Sequence, residues 1–181
     1  MFFTLRHATP EDIDDLLALW LDAAENDGRP ADTPGAVAAL LQRDPEALIV
    51  ADDDGKLIGS VIAGWDGWRY HLYRLAVRAE WRRRGVGTAL LEAAEARLAG
   101  FGATRADAMV LDGNDLGQRL WRARGYRQQA DWRRWVKQLR LRRQWAPRTM
   151  RVWRVKTGGP HDRRNDRPGP LRGPRRDPAE L

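Results

Sequence analysis

The sequence predicts an α/β fold in which a mixed, mostly antiparallel central sheet has helices on both faces, followed by a disordered basic tail. Strand-type and helix-type patterns follow one another over residues 1–140 in the order β-α-α-β-β-β-α-β-α-β-β. Strand–helix–strand crossovers in that order require helices over the sheet. Residues 141–181 are rich in Arg, Pro and Gly, a composition that cannot form a core. We therefore expect one domain over 1–140 and a tail over 141–181.

The first two helices are predicted from their start signals. "FFTLRHA" (2–8) alternates as a first strand does, and "TPEDIDDLLALWLDAA" (9–24) follows it. In that stretch Thr9 can cap, Pro10 suits the first helical position and Asp12 completes a capping-box pattern. "TPGAVAALLQRD" (33–44) repeats the Thr-Pro start for a second helix.

The middle of the chain predicts three consecutive strands and a helix. Residues 46–66 indicate a hairpin about Asp53, Asp54 and Gly55, and "YHLYRLAV" (70–77) is the next strand. A helix over about 86–99 then ends at glycines. Further on we expect a strand over 103–111, a helix over 114–125 stopped by Gly125, and a final hairpin over 126–139.

Charge and composition exclude several classes of site. Residues 1–140 hold 20 basic and 21 acidic residues and the tail holds 12 and 4, so the net charge of +7 belongs to the tail. Cysteine is absent, which excludes disulfides and thiolate sites and fits a cytoplasmic protein. The three histidines are not at metal-ligand spacing, so we expect no metal. The N-terminus shows no signal-peptide pattern, and no apolar run could span a bilayer, so we expect no membrane association.

The window "WRRRGVGTALLEA" (81–93) predicts an anion site. A P-loop is excluded because its lysine is missing, and a dinucleotide fingerprint because Leu90 stands where the third glycine belongs. What remains is a glycine loop whose backbone N–H groups lie at a helix N-terminus, with arginines beside it. The chemistry that this arrangement suits is a pyrophosphate.

The same window resembles the acyl-CoA-binding core of the GNAT N-acetyltransferases. Arg82-Arg83-Arg84-Gly85-Val86-Gly87 matches their signature and follows the strand-end triplet Leu75-Ala76-Val77. "NDLGQRLWRARGY" (114–126) is similar to a second family segment, and "WVKQL" resembles the last strand. The resemblance covers about residues 2–140 and implies an acyl-CoA N-acyltransferase-like fold.

The resemblance implies transfer of an acetyl group from acetyl-CoA to a primary amine of a small molecule, protein or peptide, by a monomer or homodimer. It implies that a strand edge binds the pantetheine arm and that the glycine loop binds the diphosphate. The implied cofactor residues are Leu75, Ala76, Val77, Arg82, Arg83, Arg84, Gly85, Val86, Gly87, Thr88 and, as a neighbour that also suits a helix cap, Asn114.

Two positions are candidates for proton transfer. His71 precedes Leu75 by four residues, so period-two alternation puts the two on one face, and a histidine suits a base near neutral pH. Glu80 is the other candidate base. Trp121 stands where the family usually has its tyrosine acid, and an indole N–H does not release its proton near neutral pH. Either the thiolate leaves without that acid, or Tyr126 or Tyr73 substitutes for it, or catalysis is weak.

The acceptor pocket and the tail stay open at this stage. Acids and tryptophans from the first helices and the hairpin ends suit a cationic amine: Asp14, Asp15, Trp20, Asp27, Trp65, Asp66 and Trp68. Two other functions compete with acetyl transfer. One is an acyl-CoA-binding module with little catalysis, and the other is a nucleic-acid or anionic-surface binder acting through the tail, which carries Trp145 and Trp153.

Overall fold

A five-stranded sheet forms the centre of the structure, a computed structural model that describes residues 2–23 and 31–137. The strands lie side by side in chain order, and neighbours pair antiparallel except for the last two, which are parallel. They are β1 (Thr4–His7), β2 (Leu48–Asp53), β3 (Lys56–Trp65), β4 (Tyr70–Val77) and β5 (Asp107–Ala108).

Helices cover both faces of this sheet, which confirms the predicted fold class. They are α1 (Ile13–Asp22), α2 (Pro34–Arg43), α3 (Val86–Gly100) and α4 (Asp115–Ala123). The buried side chains of α3, among them Leu90 and Leu91, form one core cluster with residues of β2 to β4. Those of α1 and α2, among them Leu16 and Leu41, form a second cluster against the opposite face. The core is therefore two apolar layers with the sheet between them.

The approach of α3 to the sheet is closest at Gly59 of β3. A Cβ atom added there would lie 2.9 Å from Leu90 Cδ1, 3.0 Å from the Ala76 carbonyl oxygen and 3.1 Å from Val86 Cγ1. The contact of 2.9 Å is shorter than real Cβ atoms show and the other two are tight, so a side chain at this position requires Leu90 or its neighbours to shift.

The start of the first helical segment follows its sequence signal. The Thr9 N–H donates to the Asp12 carboxylate at 2.7 Å, and a 3-10 turn over Pro10–Asp12 leads into α1. Arg6 of β1 donates to both Asp12 oxygens, at 2.7 and 2.8 Å, and to Asp52 of β2 at 2.8 Å. The Arg6 guanidinium lowers the pKa of Asp12 by hydrogen bonding to its charged form. One arginine thus ties the sheet edge to the helix entry.

The hairpin between β2 and β3 is confirmed at the predicted turn. Asp54 has φ 48° and Gly55 has φ 86°, a left-handed pair that Asp and Gly tolerate best. The Gly55 N–H donates to the Asp52 carboxylate at 2.7 Å. The turn is therefore closed by the same acid that binds Arg6.

Two predicted elements, a strand and the final hairpin, differ from the structure in length or are not formed among the described residues. The strand expected over 103–111 is reduced to the two residues of β5, and residues 126–137 contain no strand although a hairpin was expected over 126–139. Residues 127–137 are all exposed. The segment carries Trp132, Trp135 and Val136, but these side chains are exposed, and the two-residue β5 is too short to template a ladder against which they could pack. Residues 138 and 139 lie outside the described residues.

The chain divides into two compact units, Met1–Arg133 and Arg134–Leu181. In the second unit only residues 134–137 are described, and they are neither helix nor strand. The predicted disorder of 141–181 and the roles suggested for Trp145 and Trp153 concern residues outside the described part. The boundary near residue 140 stays a prediction. Within residues 2–23 and 31–137, no helix has the length and apolar character needed to cross a membrane.

Replacing Asp12 by Asn tests the Arg6 contact. Asn retains an oxygen for the Thr9 N–H but loses the ion pair, so we expect the free energy of unfolding at pH 7 to fall by about 1–2 kcal/mol, a figure discounted because Arg6 is partly exposed. The folded-state pKa of Asp12 is lowered, so this contribution is present above the unfolded pKa of about 3.9 and is lost as pH falls through the folded value.

Urea unfolding at several pH values measures this effect. Asp14→Asn, at an exposed acid in the first turn of the same helix, is the matched control and should change stability little. A difference between wild type and Asp12→Asn that stays constant down to pH 2 would contradict the ion-pair account.

Candidate functional site

A cavity of about 1320 Å³ opens where β4, the loop before α3 and α4 meet. Most of the residues predicted to bind a cofactor line it. They are Leu75, Ala76 and Val77 from β4, Arg82, Arg83, Gly85, Gly87 and Thr88 from the loop and the start of α3, and Asn114 and Trp121 from the α4 region. The end of β4 and the loop that follows it therefore meet the α4 region, which lies more distant in sequence, at one site.

One wall of the cavity is the edge of β4 that faces away from β3. The partner on that edge, β5, pairs only with His71 and Leu72. Beyond Leu72 the two parallel strands separate, and no other described strand lies along residues 73–77 on that side. Backbone N–H and C=O groups of an unpaired strand edge are available to an extended ligand.

The loop between β4 and α3 has the backbone geometry of an anion site. Arg83 and Gly85 have φ values of 61° and 84°. The first intrahelical hydrogen bond of α3 runs from the Ala89 N–H to the Gly85 carbonyl at 2.9 Å. The preceding N–H groups of the first turn have no partner within the helix, and they carry the positive end of its dipole. These groups suit a diphosphate.

The absent side chain of Gly87 keeps this wall open. A Cβ atom at that position would lie 3.2 Å from Leu120 Cδ2 and 3.6 Å from Val77 Cγ2. Any larger residue would therefore extend into the narrow space between the start of α3 and α4.

The three arginines of the loop have different places. Arg82 and Arg83 line the cavity, and the Arg82 Nε–H donates to the Val77 carbonyl at 3.2 Å. The Arg84 guanidinium lies 5.6 Å from the centre of the Trp81 ring and is not among the cavity residues. Val86 is 1% exposed and packs in the core, so its backbone rather than its side chain is available to a ligand.

The α4 wall is held by a cap and an aromatic pair. Asn114 accepts a hydrogen bond from the Gly117 N–H at 2.6 Å, which caps the helix as its sequence context suggests. Trp121 contacts Tyr126 edge to face, with ring centres 4.8 Å apart. The indole is thus packed on one side and borders the cavity on the other.

Sequence reasoning missed several residues of this wall. Arg119, Leu116 and Leu120 line the cavity, as do Asp22 at the end of α1 and Asp112 before α4. Leu120 lies three residues after Gly117, and Leu116 and Arg119 share its helix, so helical spacing from Asn114 could have indicated part of the set. No local signal indicates Asp22, which is brought there by the packing of α1.

His71 does not lie where period-two alternation places it. In the register of β3 and β4, Ser60 pairs with Ala76 and Ile62 with Tyr73, so Arg74 and Leu75 together stand opposite Val61. This β-bulge reverses the alternation of side chains between the two faces of the sheet.

The bulge puts His71 and Leu75 on opposite faces. Leu75 packs on the α3 side, whereas the His71 and Tyr73 rings lie 5.8 Å apart on the side of α1 and α2. The prediction that His71 and Leu75 share a face is therefore wrong, and His71 does not line the cavity.

The other proton-transfer candidates are also displaced from the cavity. Glu80 is exposed, and its own backbone N–H and the Lys56 ammonium, 3.5 Å away, lower its pKa. Tyr126 lies at a separate small cavity, where burial and the neighbouring Glu95 carboxylate raise its pKa. Tyr73 is 46% exposed on the α1 side of β4. Among the described tyrosines, none lines the large cavity.

The residues suggested for an amine acceptor are scattered. Trp20 is buried beneath β3 and β4, and Asp14 and Asp15 are exposed on α1. Trp65 stacks on Phe101 at 4.8 Å. Asp66 closes the β3–β4 turn by accepting from the Trp68 and Arg69 N–H groups, which lower its pKa. Trp68 is 77% exposed. Asp27 lies outside the described residues.

Comparison with known proteins places this geometry in a family. The model of the acetyltransferase (GNAT) family matches residues 12–126. An acetyltransferase of Yersinia pestis (strain Pestoides F) is 39% identical over 75 residues, which are 41% of this chain and 53% of that protein. The chain thus matches about half the length of that curated relative. An acetyltransferase of Sodalis glossinidius is 32% identical over 108 residues, 58% of this chain and 73% of that protein.

Solved structures share the fold. The Ard1 protein of Thermoplasma volcanium has a TM-score of 0.62 at 21% identity, over 69% of this chain and 82% of its own. AAC(6')-Iy, solved with the bisubstrate analog CoA-S-monomethyl-acetylneamine, has a TM-score of 0.62 at 21% identity, over 77% of this chain and 100% of its own. At this identity the likeness concerns the fold alone.

Replacing Asn114 tests the cap that positions the α4 wall. Asn114→Ala removes the acceptor of the Gly117 N–H, so we expect a loss of about 1 kcal/mol in the free energy of unfolding. Asn114→Asp retains an acceptor and should stay close to wild type. Thermal and urea unfolding measure both. Equal losses in the two variants would show that the amide acts through another contact.

Proposed function

This chain belongs to the acetyltransferase (GNAT) family, and we propose that it transfers an acetyl group from acetyl-CoA to a primary amine. The observation that carries the proposal is the meeting of an unpaired β4 edge with an arginine–glycine loop in one cavity. An extended arm with amide groups can pair with the strand edge, and a diphosphate at the end of that arm can bind the loop. The neighbour solved with a CoA bisubstrate analog shares the fold.

The diphosphate would lie against the loop before α3. Gly85 and Gly87 carry no Cβ atoms into the cavity, so the backbone N–H groups at the start of α3 can reach phosphate oxygens. Arg82 and Arg83 add positive charge from the cavity wall. Backbone groups of Val86 and Thr88 complete the first turn. Arg84 would contribute to the local field rather than contact a phosphate, because its guanidinium lies over Trp81.

The pantetheine arm would add to the sheet along Leu75, Ala76 and Val77. Those residues border the cavity and lie on the strand edge that β5 leaves unpaired. Amide groups of an extended arm can pair with a strand edge as another strand does. Acetyl-CoA would supply the acetyl group activated as a thioester, and an edge N–H aimed at its carbonyl would stabilise the charge that develops there.

The transfer to a neutral amine forms one carbon–nitrogen bond, breaks one carbon–sulfur bond and moves one proton away from the nitrogen. The amine nitrogen bonds to the acetyl carbon, the carbon–sulfur bond breaks, the nitrogen gives up a proton, and the thiolate leaves or takes one. Trp121 borders the cavity, and in this proposal it, rather than a tyrosine, would lie beside the thioester. We propose that the thiolate departs without a tyrosine acid, which its ordinary thiol pKa near 8.5 makes feasible.

His71 is the base in this proposal, and it acts at a distance. It lies on the β4 face covered by α1 and α2, near Tyr73, whereas the cavity is lined by β4 residues four or more positions further on. Four strand residues span about 13 Å. The proton would therefore reach His71 through ordered water, or the amine would approach along that face. Glu80 is less suited, because its lowered pKa and its exposed ion pair with Lys56 weaken it as a base.

Trp121 favours one alternative, a module that binds acyl-CoA and catalyses little. Its indole borders the cavity in place of a proton donor. Release of free CoA in the presence of a panel of primary amines separates the two functions, because a binding module takes up acetyl-CoA without releasing CoA. A cytoplasmic location and a monomeric or homodimeric state remain predictions, as does nucleic-acid binding through the tail.

Replacing Gly87 by Asp tests the cofactor site. A carboxylate would meet the diphosphate, and the added side chain would press on Leu120. We expect acetyl-CoA to bind the wild type with a Kd in the micromolar range, about −7 to −9 kcal/mol, and binding to Gly87→Asp to be lost in calorimetric titration. Gly35→Asp is the control, since a Cβ atom at that helical glycine of α2 meets nothing within 4 Å. Wild-type affinity in a folded Gly87→Asp protein would remove the cofactor assignment.

Replacing His71 by Ala tests the base. We expect turnover to fall about a hundredfold with acetyl-CoA affinity unchanged, because proton removal and cofactor binding involve different parts of β4. The comparison is made as initial rates from pH 6 to 9, with His7→Ala, an exposed histidine of β1, as the matched control. Wild-type turnover of His71→Ala over that range would assign proton removal to water or to Glu80.

A further inference from the structure

The bulge in β4 holds an arginine in a backbone conformation that favours glycine. Arg74 has φ 50° and stands with Leu75 opposite Val61. A residue with a Cβ atom adopts this left-handed region only where surrounding contacts hold it there. The presence of arginine rather than glycine indicates that the side chain at this position is used, and that other groups hold the backbone.

Two buried side chains hold that backbone through a chain of hydrogen bonds. The Trp20 indole N–H of α1 donates to Ser60 Oγ at 2.8 Å, and the Ser60 hydroxyl donates to the Arg74 carbonyl at 3.0 Å. Ser60 is 0% exposed and Trp20 is 3% exposed. Ser60 is also the only serine in the sequence. Because an indole N–H only donates and a carbonyl only accepts, the Ser60 oxygen accepts from Trp20 and its single proton goes to the Arg74 carbonyl.

The side chain of Arg74 extends the same connection to the start of α2. Its Nη2 and Nε groups donate to Asp32 at 2.5 and 2.9 Å. Its guanidinium carbon lies 5.8 Å from the centre of the Trp20 ring. Arg74 is therefore held at its carbonyl by Ser60 and at its guanidinium by Asp32, and Trp20 lies near the guanidinium and is linked to the carbonyl through Ser60.

The position of the bulge decides which backbone groups reach the cavity. Residues 75–77 follow it directly, line the cavity and lie on the unpaired edge of β4. If Arg74 relaxed to an ordinary strand conformation, the extra residue would shift the following backbone groups along the edge. A strand edge offers its N–H and C=O groups in alternation, so a shift of one residue replaces donors by acceptors.

We propose that Ser60 and Trp20 are positioning residues that fix the β4 bulge and with it the strand edge that receives the pantetheine–thioester arm of acetyl-CoA. The inference rests on the proposed function for the identity of the ligand. Neither residue contacts the ligand in this proposal. The Trp20 indole of α1 supports the cofactor site indirectly, through Ser60.

The test compares two ligands on the full-length chain. Acetyl-CoA uses both the loop and the strand edge, whereas adenosine 3′-phosphate 5′-diphosphate keeps the diphosphate for the loop and lacks the pantetheine arm. In Ser60→Ala we expect acetyl-CoA to bind about tenfold more weakly, the loss that about one net hydrogen bond carries. The nucleotide fragment should bind within about twofold of wild type. A role in stability alone would weaken both ligands together or neither.

Three further variants sharpen the comparison. Trp20→Phe removes the first hydrogen bond and replaces the indole beside the Arg74 guanidinium by a smaller ring, so it should also weaken acetyl-CoA relative to the nucleotide fragment, while Ser60→Thr retains the hydroxyl and should restore affinity relative to Ser60→Ala. Thr33→Ala removes a hydroxyl that caps α2 by accepting from the Ala36 N–H, and should leave the ratio of the two affinities unchanged. If Ser60→Ala does not fold, Trp20→Phe carries the same test.

Hydrogen–deuterium exchange separates failure of this inference from failure of the proposed function. Segment 73–77 should exchange faster in Ser60→Ala than in wild type or Thr33→Ala, whatever ligand the cavity takes. If the wild-type protein does not bind acetyl-CoA, the ligand assignment is wrong, but the exchange rates still test whether Ser60 fixes the bulge. Unchanged exchange in this segment, or equal weakening of both ligands, would overturn the role of Ser60.

Discussion

The parallel pairing of β4 with β5 lasts for only two residues, and the site depends on that limit. Where the pairing ends after Leu72, the sheet opens and β4 keeps a partner on one side only. A longer β5 would fill the gap with its own backbone and leave no edge for an extended ligand. The same separation lets the start of α3 and the body of α4 approach from either side, which makes the opening a cavity rather than a groove.

The fixed charges of the molecule are divided between holding the fold and preparing the cavity. Arg6, Arg74 and Arg97 pair with Asp52, Asp32 and Asp44, and these pairs connect elements distant in sequence. Arg82 and Arg83 instead face the cavity next to helix N–H groups that have no acceptor in the helix. Acids are also present there, among them Asp22 and Asp112. The positive potential of the cavity therefore depends on the backbone N–H groups at the start of α3 as well as on side-chain charge.

Much of the fold could be predicted because its signals are local. The Thr-Pro starts, the Asp-Gly turn and the glycines that end helices each act over a few residues, and all of them appear in the structure where expected. The bulge could not be predicted in this way. Arg74 carries no glycine signal, and its conformation is fixed by Ser60 and Asp32, which are distant in sequence. The prediction that His71 and Leu75 share a face is wrong for the same reason, because strict alternation of side chains does not hold across the bulge. The short β5 and the absence of strands over 126–137 likewise reflect pairing partners rather than local propensity.

The missing Cβ atom of Gly59 has a consequence for how variants of this protein are interpreted. It sets the depth to which α3 sinks onto the sheet, and one of the atoms that would be displaced belongs to Val86, the first residue of that helix. A side chain here would lift the helix end together with the glycine loop, although residue 59 is not among the cavity residues. Sequence surveys that score ligand contacts alone would rate the position as neutral. Gly59 determines how closely α3 packs on the sheet, so a substitution in this packing layer can lower ligand affinity without touching the ligand.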